Sequence, residues 1–184
     1  MASYDDELLD ASKRLLTRRT GQRGRLPTAK VRRSISTTYY ALFHFLVDEV
    51  TLRIVGVGNT LRVRRRTLAR VITHRALRTT MEKVQGQSLN PSINAFFECD
   101  GTVPAVAPDF ARDLARAFLD AQSKRETADY DLNGSLSETD ARLLWLRVRR
   151  VIKAWRAANA PADKDFKHAL SIVILLRGQL RQDS

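Results

Sequence analysis

The segment from Arg32 to Val50 constrains the fold most, because its residue pattern describes a helix with two dissimilar sides. At about 100° per residue, Ile35, Tyr39, Leu42, Phe43, Leu46 and Val50 gather on one side, and Arg33, Thr37, Tyr40 and His44 on nearly the opposite one. His44 therefore stands apart from the apolar stripe. The same period dominates the rest of the chain, and nothing alternates like a strand for more than a few residues. The expected fold class is all-α, an up-and-down helical bundle of about six helices.

The expected helices follow from caps and breakers. A first runs from about Tyr4 to Arg18, with Ser3 as N-cap and acids in its first turn. A second begins near Pro27 and ends near Val55, where Gly56-Val57-Gly58-Asn59 breaks the pattern. A third, the most basic, spans Thr60 to Gln85. From Gln87 to Pro108, Pro91, Gly101, Pro104 and Pro108 interrupt any period, so an irregular connection packed by Ile93, Phe96 and Phe97 is expected. A fourth helix runs from Pro108 to Tyr130, a fifth from Ser137-Glu138-Thr139-Asp140 to about Ala158, and a sixth from Ala160-Pro161 to Gly178. The length, 184 residues, is that of one domain.

Composition narrows the chemistry. With 43% apolar and 28% charged residues, no apolar run long enough to cross a bilayer and an acidic start at Asp5-Asp6-Glu7, the chain reads as cytoplasmic. The lone Cys99 excludes an internal disulfide and any cysteine-based zinc site. Three dispersed histidines, His44, His74 and His168, make no metal site, so neither metal nor cofactor is expected. The net charge is +12, and 25 of the 32 basic residues are arginine, which attracts polyanions and favours nucleic acid as a partner. Arg62, Arg64, Arg65, Arg66 and Arg70 wrap much of the third helix. Arg142, Arg149, Lys153 and Arg156 make one face of the fifth, and both clusters are candidate nucleic-acid-binding surfaces. Gly56-Val57-Gly58-Asn59 lacks the lysine and the preceding strand of a nucleotide-binding loop.

Arg125 breaks its helix's own pattern. Phe110, Leu114, Ala117, Ala121, Ala128 and Leu132 form an apolar stripe, and Arg125 sits within it. A buried charge must be paired, because leaving it alone costs several kcal/mol. Asp129, one turn on, is the local partner, and Tyr40 and His44 are the long-range ones. A plain Arg-Asp clip between helices competes with a ligand role.

Two phrases carry a family resemblance: Ser34-Ile35-Ser36-Thr37-Thr38-Tyr39-Tyr40-Ala41-Leu42-Phe43-His44, and Arg125-Glu126-Thr127-Ala128-Asp129-Tyr130. Together they resemble the HEPN superfamily of small helical proteins, in which a helix reading roughly Ser-Arg-Ala-Tyr-Tyr-Ala-x-Phe-His is followed much later by Arg-x-x-Ala-Asp-Tyr. The resemblance covers roughly Tyr4 to Leu132. It implies a HEPN-like bundle, frequently dimeric, in a prokaryotic toxin-antitoxin or defence module. The implied partners are RNA, a second copy, and a nucleotidyltransferase-type antitoxin or effector-complex subunits. HEPN ribonucleases cleave RNA without metal, through attack by its own 2′-hydroxyl. His44 would then act as general acid or base, Arg33 and Arg125 as phosphate ligands, with Tyr40 beside them and Asp129, Tyr130 and His74 in support.

One departure bears on catalysis. The family's catalytic signature is Arg, four to six residues, then His. Upstream of His44 those positions hold Thr37, Thr38 and Tyr39, and no histidine of this chain has arginine there. Arg33 precedes His44 by eleven residues, about 16 Å along one helix. A substitute would have to come from Arg125, Arg32 or a second copy. A non-catalytic basic subunit that binds nucleic acid, or a protein-interaction module paired with an antitoxin, is therefore the alternative. His74 lines up with Leu77, Met81 and Val84, which favours a core histidine over a site residue. Thr37 and Ala41, small and near His44, suggest a face on which two copies could meet in a homodimer.

Overall fold

The computed structural model describes residues 3–18, 24–86, 106–131 and 134–176. Seven helices occur there: α1 (Tyr4–Leu15), α2 (Thr28–Val55), α3 (Arg62–Ala69), α4 (His74–Val84), α5 (Asp109–Tyr130), α6 (Glu138–Ala157) and α7 (Pro161–Leu175), with a 3-10 turn at Asn59–Leu61. No strand is present among the described residues, so the fold is all-α. Ile93, Phe96, Phe97 and Cys99 lie outside the described residues.

Most boundaries follow their caps. The Ser137 hydroxyl accepts from the Asp140 N–H at 3.0 Å while the Asp140 carboxylate accepts from the Ser137 N–H at 2.9 Å, a reciprocal pair that opens α6. Those bonds from Ser137 hold the Asp140 carboxyl below its usual range. Gly56, at φ +90°, supplies the left-handed residue that ends α2. The expected third helix is instead two. Val71-Ile72-Thr73 is a run of β-branched residues, and Thr73, at φ −103° and ψ 157°, leaves the helical region and caps α4 by accepting from Ala76 N–H at 3.2 Å.

The chain divides into two compact units, Met1–Phe45 with Ala117–Lys153, and Leu46–Arg116 with Ala154–Ser184. In the first, four helical segments close a ring. The Ser12 hydroxyl on α1 bonds to those of Ser34 (2.8 Å) and Thr38 (2.7 Å) on α2. Asp129 on α5 accepts from the Ser36 hydroxyl at 2.9 Å, and Tyr40 accepts from Arg125 at 3.2 Å. The Trp145 indole of α6 donates to Leu9 O at 2.9 Å on α1, and Arg147 of α6 bonds Asp120 of α5 at 2.9 Å. As residue numbers rise along one helix of the α1–α2, α2–α5 and α1–α6 pairs, they fall along the other, so this unit is an antiparallel four-helix bundle. Its core holds Leu9, Leu16, Ile35, Tyr39, Leu42, Phe118, Ala121, Ala128, Leu144 and Val148.

The second unit buries Val50, Leu77, Met81, Leu114, Phe166, Leu170 and Val173. Trp155 packs edge-on against Phe110, with ring centroids 5.4 Å apart, and its indole donates to Glu49 at 2.7 Å. Lys167, 1% exposed, lies 5.3 Å from the Trp155 ring and 5.4 Å from that of Phe110.

Four helix C-termini are closed by cations from other helices, two of them far away in the sequence and two on the helix that follows. Arg142 donates to Leu16 O at 2.6 Å behind α1, and Arg65 to Gly56 O (2.8 Å) and Gly58 O (3.0 Å) behind α2. Arg32 gathers Thr127 O, Ala128 O, Asp131 O and Gly134 O, at 2.9 to 3.3 Å, at the end of α5. Lys167 donates to Trp155 O at 2.7 Å and to Ala158 O at the end of α6. The last carbonyls of a helix lack partners and carry partial negative charge, so a cation satisfies both demands at once.

Replacing Arg32 by alanine strips these donors from four carbonyls, and a loss of about 2 to 4 kcal/mol is expected in urea denaturation. A loss below about 0.5 kcal/mol would show that water replaces the guanidinium without penalty. Burial pulls the Lys167 ammonium below its ordinary pKa, Arg53 adds to the pull, and Glu49 and Asp163 oppose it. Between the lowered folded pKa and 10.5 the unfolded chain holds the proton more tightly, so unfolding takes up a proton and this contribution to stability rises with pH. The stability of wild type relative to Lys167→Met should therefore climb across that window in denaturation curves taken at stepped pH; a flat difference would contradict it.

Candidate functional site

Within the first unit, Ser36, Tyr40 and His44 follow one another at four-residue intervals on α2, and Arg125, Asp129 and Tyr130 come from the last turns of α5. The Arg125 guanidinium lies 5.7 Å from the Tyr40 ring and 5.1 Å from the Tyr130 ring. Its Nη2 donates to the Tyr40 hydroxyl at 3.2 Å, and its Nε is 2.7 Å from Asp129 Oδ2. That carboxylate sits off the axis of the N–H, so the contact is coulombic rather than a hydrogen bond. Asp129 is held in turn by the Ser36 hydroxyl at 2.9 and 3.1 Å. Partial burial works against the charge of Arg125, but Tyr40, Asp129 and Tyr130 outweigh it and raise its pKa above the ordinary arginine value. The cation is permanent.

His44 is half-buried and enclosed by rings. Tyr4 of α1 meets it edge-on with centroids 5.0 Å apart, Phe43 does so at 5.4 Å, and Tyr40 lies tilted at 6.4 Å. Tyr40 thus touches both the imidazole and the Arg125 guanidinium. Tyr4 is 52% and Tyr130 71% exposed, so the patch presents two accessible aromatic rings beside the histidine and the arginine. Tyr39 behind them is buried, which raises its phenol far above the usual range although Arg125 opposes the shift, and it stays neutral.

The other expected residues fall in several places. Arg33 is exposed on α2, its carbonyl accepting from the Thr37 hydroxyl at 2.7 Å. Arg32, considered as a substitute arginine, is committed to the end of α5. His74 is not a core residue: as the first residue of α4 it is exposed, because the helix starts there and its side chain precedes the buried stripe of Leu77, Met81 and Val84. Arg62, Arg64, Arg66 and Arg70 are exposed, whereas Arg65 turns back onto the α2 carbonyls. Arg142 bonds Leu16 O and Glu138, and Arg149 lies 5.4 Å from the Trp145 ring, while Lys153 and Arg156 are exposed. No group of three His, Cys, Asp or Glu able to hold a metal occurs among the described residues.

Two participants escape a reading of the sequence alone. Tyr4 sits at the head of α1 among acids, where an aromatic is off its helix's buried stripe, and that displacement is its only signal. Ser36 lies four residues before Tyr40, so the helical period could have placed it opposite Asp129.

Ala41 is fully buried and cannot form a face between copies. It follows Thr38 by three residues and Ser34 by seven, so it shares the side of α2 that bonds Ser12 of α1. Ala41→Arg should therefore unfold the bundle, costing at least about 3 kcal/mol, rather than dissociate a dimer. A variant of unchanged melting temperature would contradict that placement. Compared with protein-family models, with curated proteins and with solved structures, the chain matches none.

Proposed function

We propose that this chain is a HEPN-type helical protein that binds RNA on the α2–α5 side of its first unit, in a prokaryotic toxin-antitoxin or defence setting in the cytoplasm. The observation that carries the reading is Arg125 held between the rings of Tyr40 and Tyr130, beside a His44 ring that also meets exposed Tyr4. Unstacked RNA bases lie on aromatic and guanidinium planes, and exposed arginines such as Arg33 attract phosphate. The resemblance of the two phrases in α2 and α5, and the +12 charge, support it. No described helix is long and apolar enough to cross a membrane.

Strand cleavage is the second reading, favoured by an imidazole that is only partly buried. His44 would take the proton of a 2′-hydroxyl as its oxygen attacks the adjacent phosphorus, and the imidazolium would return that proton to the departing 5′-oxygen, leaving a 2′,3′-cyclic phosphate. Arg125 and Arg32 have other commitments and Arg33 lies about 16 Å from His44 along α2, so the arginine that stabilises the phosphorane would be supplied by a second copy. Binding without cleavage needs no such addition, and we place it first.

Fluorescence anisotropy with a labelled oligouridylate tests the proposal. Tyr4→Ala and Tyr130→Ala are each expected to weaken binding about fivefold or more, as loss of one stacked base would, and affinity should fall steeply with salt. His44→Ala should abolish any cleavage measured in EDTA. A folded protein that binds no RNA at low salt overturns the reading.

A further inference from the structure

The outward side of α6 carries two leucines where its pattern calls for polar residues. The helix buries Ala141, Leu144, Val148, Val151 and Ile152, so the side away from that core is centred on Leu143, Leu146, Arg150 and Lys153. Leu143 is 60% and Leu146 53% exposed. A single exposed leucine needs no explanation, but two that are one turn apart form a strip. Arg147, Arg149, Arg150 and Lys153 border it, lining the same surface depression. Arg147 is held at one edge by Asp120 at 2.9 Å, and Arg149 at the other by the Trp145 ring. Arg150 and Lys153 have no acidic partner among the described residues.

We propose that this strip docks an acidic amphipathic helix of a partner protein. Apolar side chains one turn apart on that helix cover Leu143 and Leu146, and its Asp and Glu residues meet Arg150 and Lys153. The surface discriminates among occupants. Nucleic acid would use the cations but gain nothing from leucines pressed against phosphate. A second copy related by two-fold symmetry would bring the same patch, whose lining residues include four cations and no acid, so the contact would gather like charges. A lipid surface would find only two leucines, since Leu144, Val148, Val151 and Ile152 of the same helix lie in the core. The proposal is independent of the RNA reading, since α6 and α2 are diagonal members of the ring in the first unit.

Panning a phage-displayed library of helical 16-residue peptides against the full chain tests it. The expected result is enrichment of peptides with Leu or Phe three or four residues apart, flanked by Asp or Glu. The best of these, made synthetically, should bind at least tenfold more weakly to Leu143→Ser/Leu146→Ser and to Arg150→Glu/Lys153→Glu. Both variants alter exposed residues only, and unchanged melting temperatures confirm that they fold. Two further arms use vesicles of one part phosphatidylserine to two parts phosphatidylcholine, and oligouridylate. No enrichment, enrichment that survives the leucine substitutions, or vesicle or RNA binding that those substitutions abolish would each overturn the proposal.

Discussion

A helix that ends inside a protein leaves carbonyls without partners, and this chain supplies them with cationic side chains from elsewhere in the sequence. Arg142 closes α1, Arg65 closes α2, Arg32 closes α5 and Lys167 closes α6. Arg142 and Arg32 tie helix ends to segments far away in the sequence, whereas Arg65 and Lys167 reach back from the next helix, so each contact fixes how a helix end sits as well as satisfying charge. Arg32 reaches four carbonyls at once, including those of Thr127 and Ala128 within the last turn of α5. The arginine-rich composition is thus partly internal architecture. A basic count of 32 overstates how much positive charge remains for a polyanion.

The candidate site depends on the same anchoring. Arg125, Asp129 and Tyr130 project from the turns of α5 that Arg32 holds, and the α2 residues they meet, Ser36 and Tyr40, follow Arg32 on its own helix. A single side chain therefore couples the two helices whose facing residues build the patch. The Arg125 cation is stabilised between Tyr40, Asp129 and Tyr130, which makes it a fixed part of a surface more than a mobile group free to reach a distant phosphate.

The Ser137 cap and the anomaly at Arg125 were legible because each is a local signal: a capping pair, a charge inside an apolar stripe. Features set by tertiary partners were not. Arg65 and Arg142 read as parts of basic surfaces, yet carbonyls brought near by folding claim them. Ala41 looked available because a wheel separates core from solvent but does not show that α1 covers a third side of α2. His74 matched a buried stripe and is exposed because the preceding β-branched run starts a new helix at that residue. Exposed Leu143 and Leu146 were invisible within an otherwise regular amphipathic pattern.

The proposed RNA surface sets Arg125, with Tyr40 and Tyr130 beside its guanidinium, against the ligand. Side-chain NMR during titration with a short oligouridylate tests it most directly, following the Nε–H of Arg125 together with the ring signals of Tyr4, Tyr130 and His44. On RNA binding at this surface these signals shift together and saturate at the same RNA concentration. Shifts confined to the exposed arginines of α3, Arg62, Arg64, Arg66 and Arg70, with Arg125 and the rings unmoved, would contradict it.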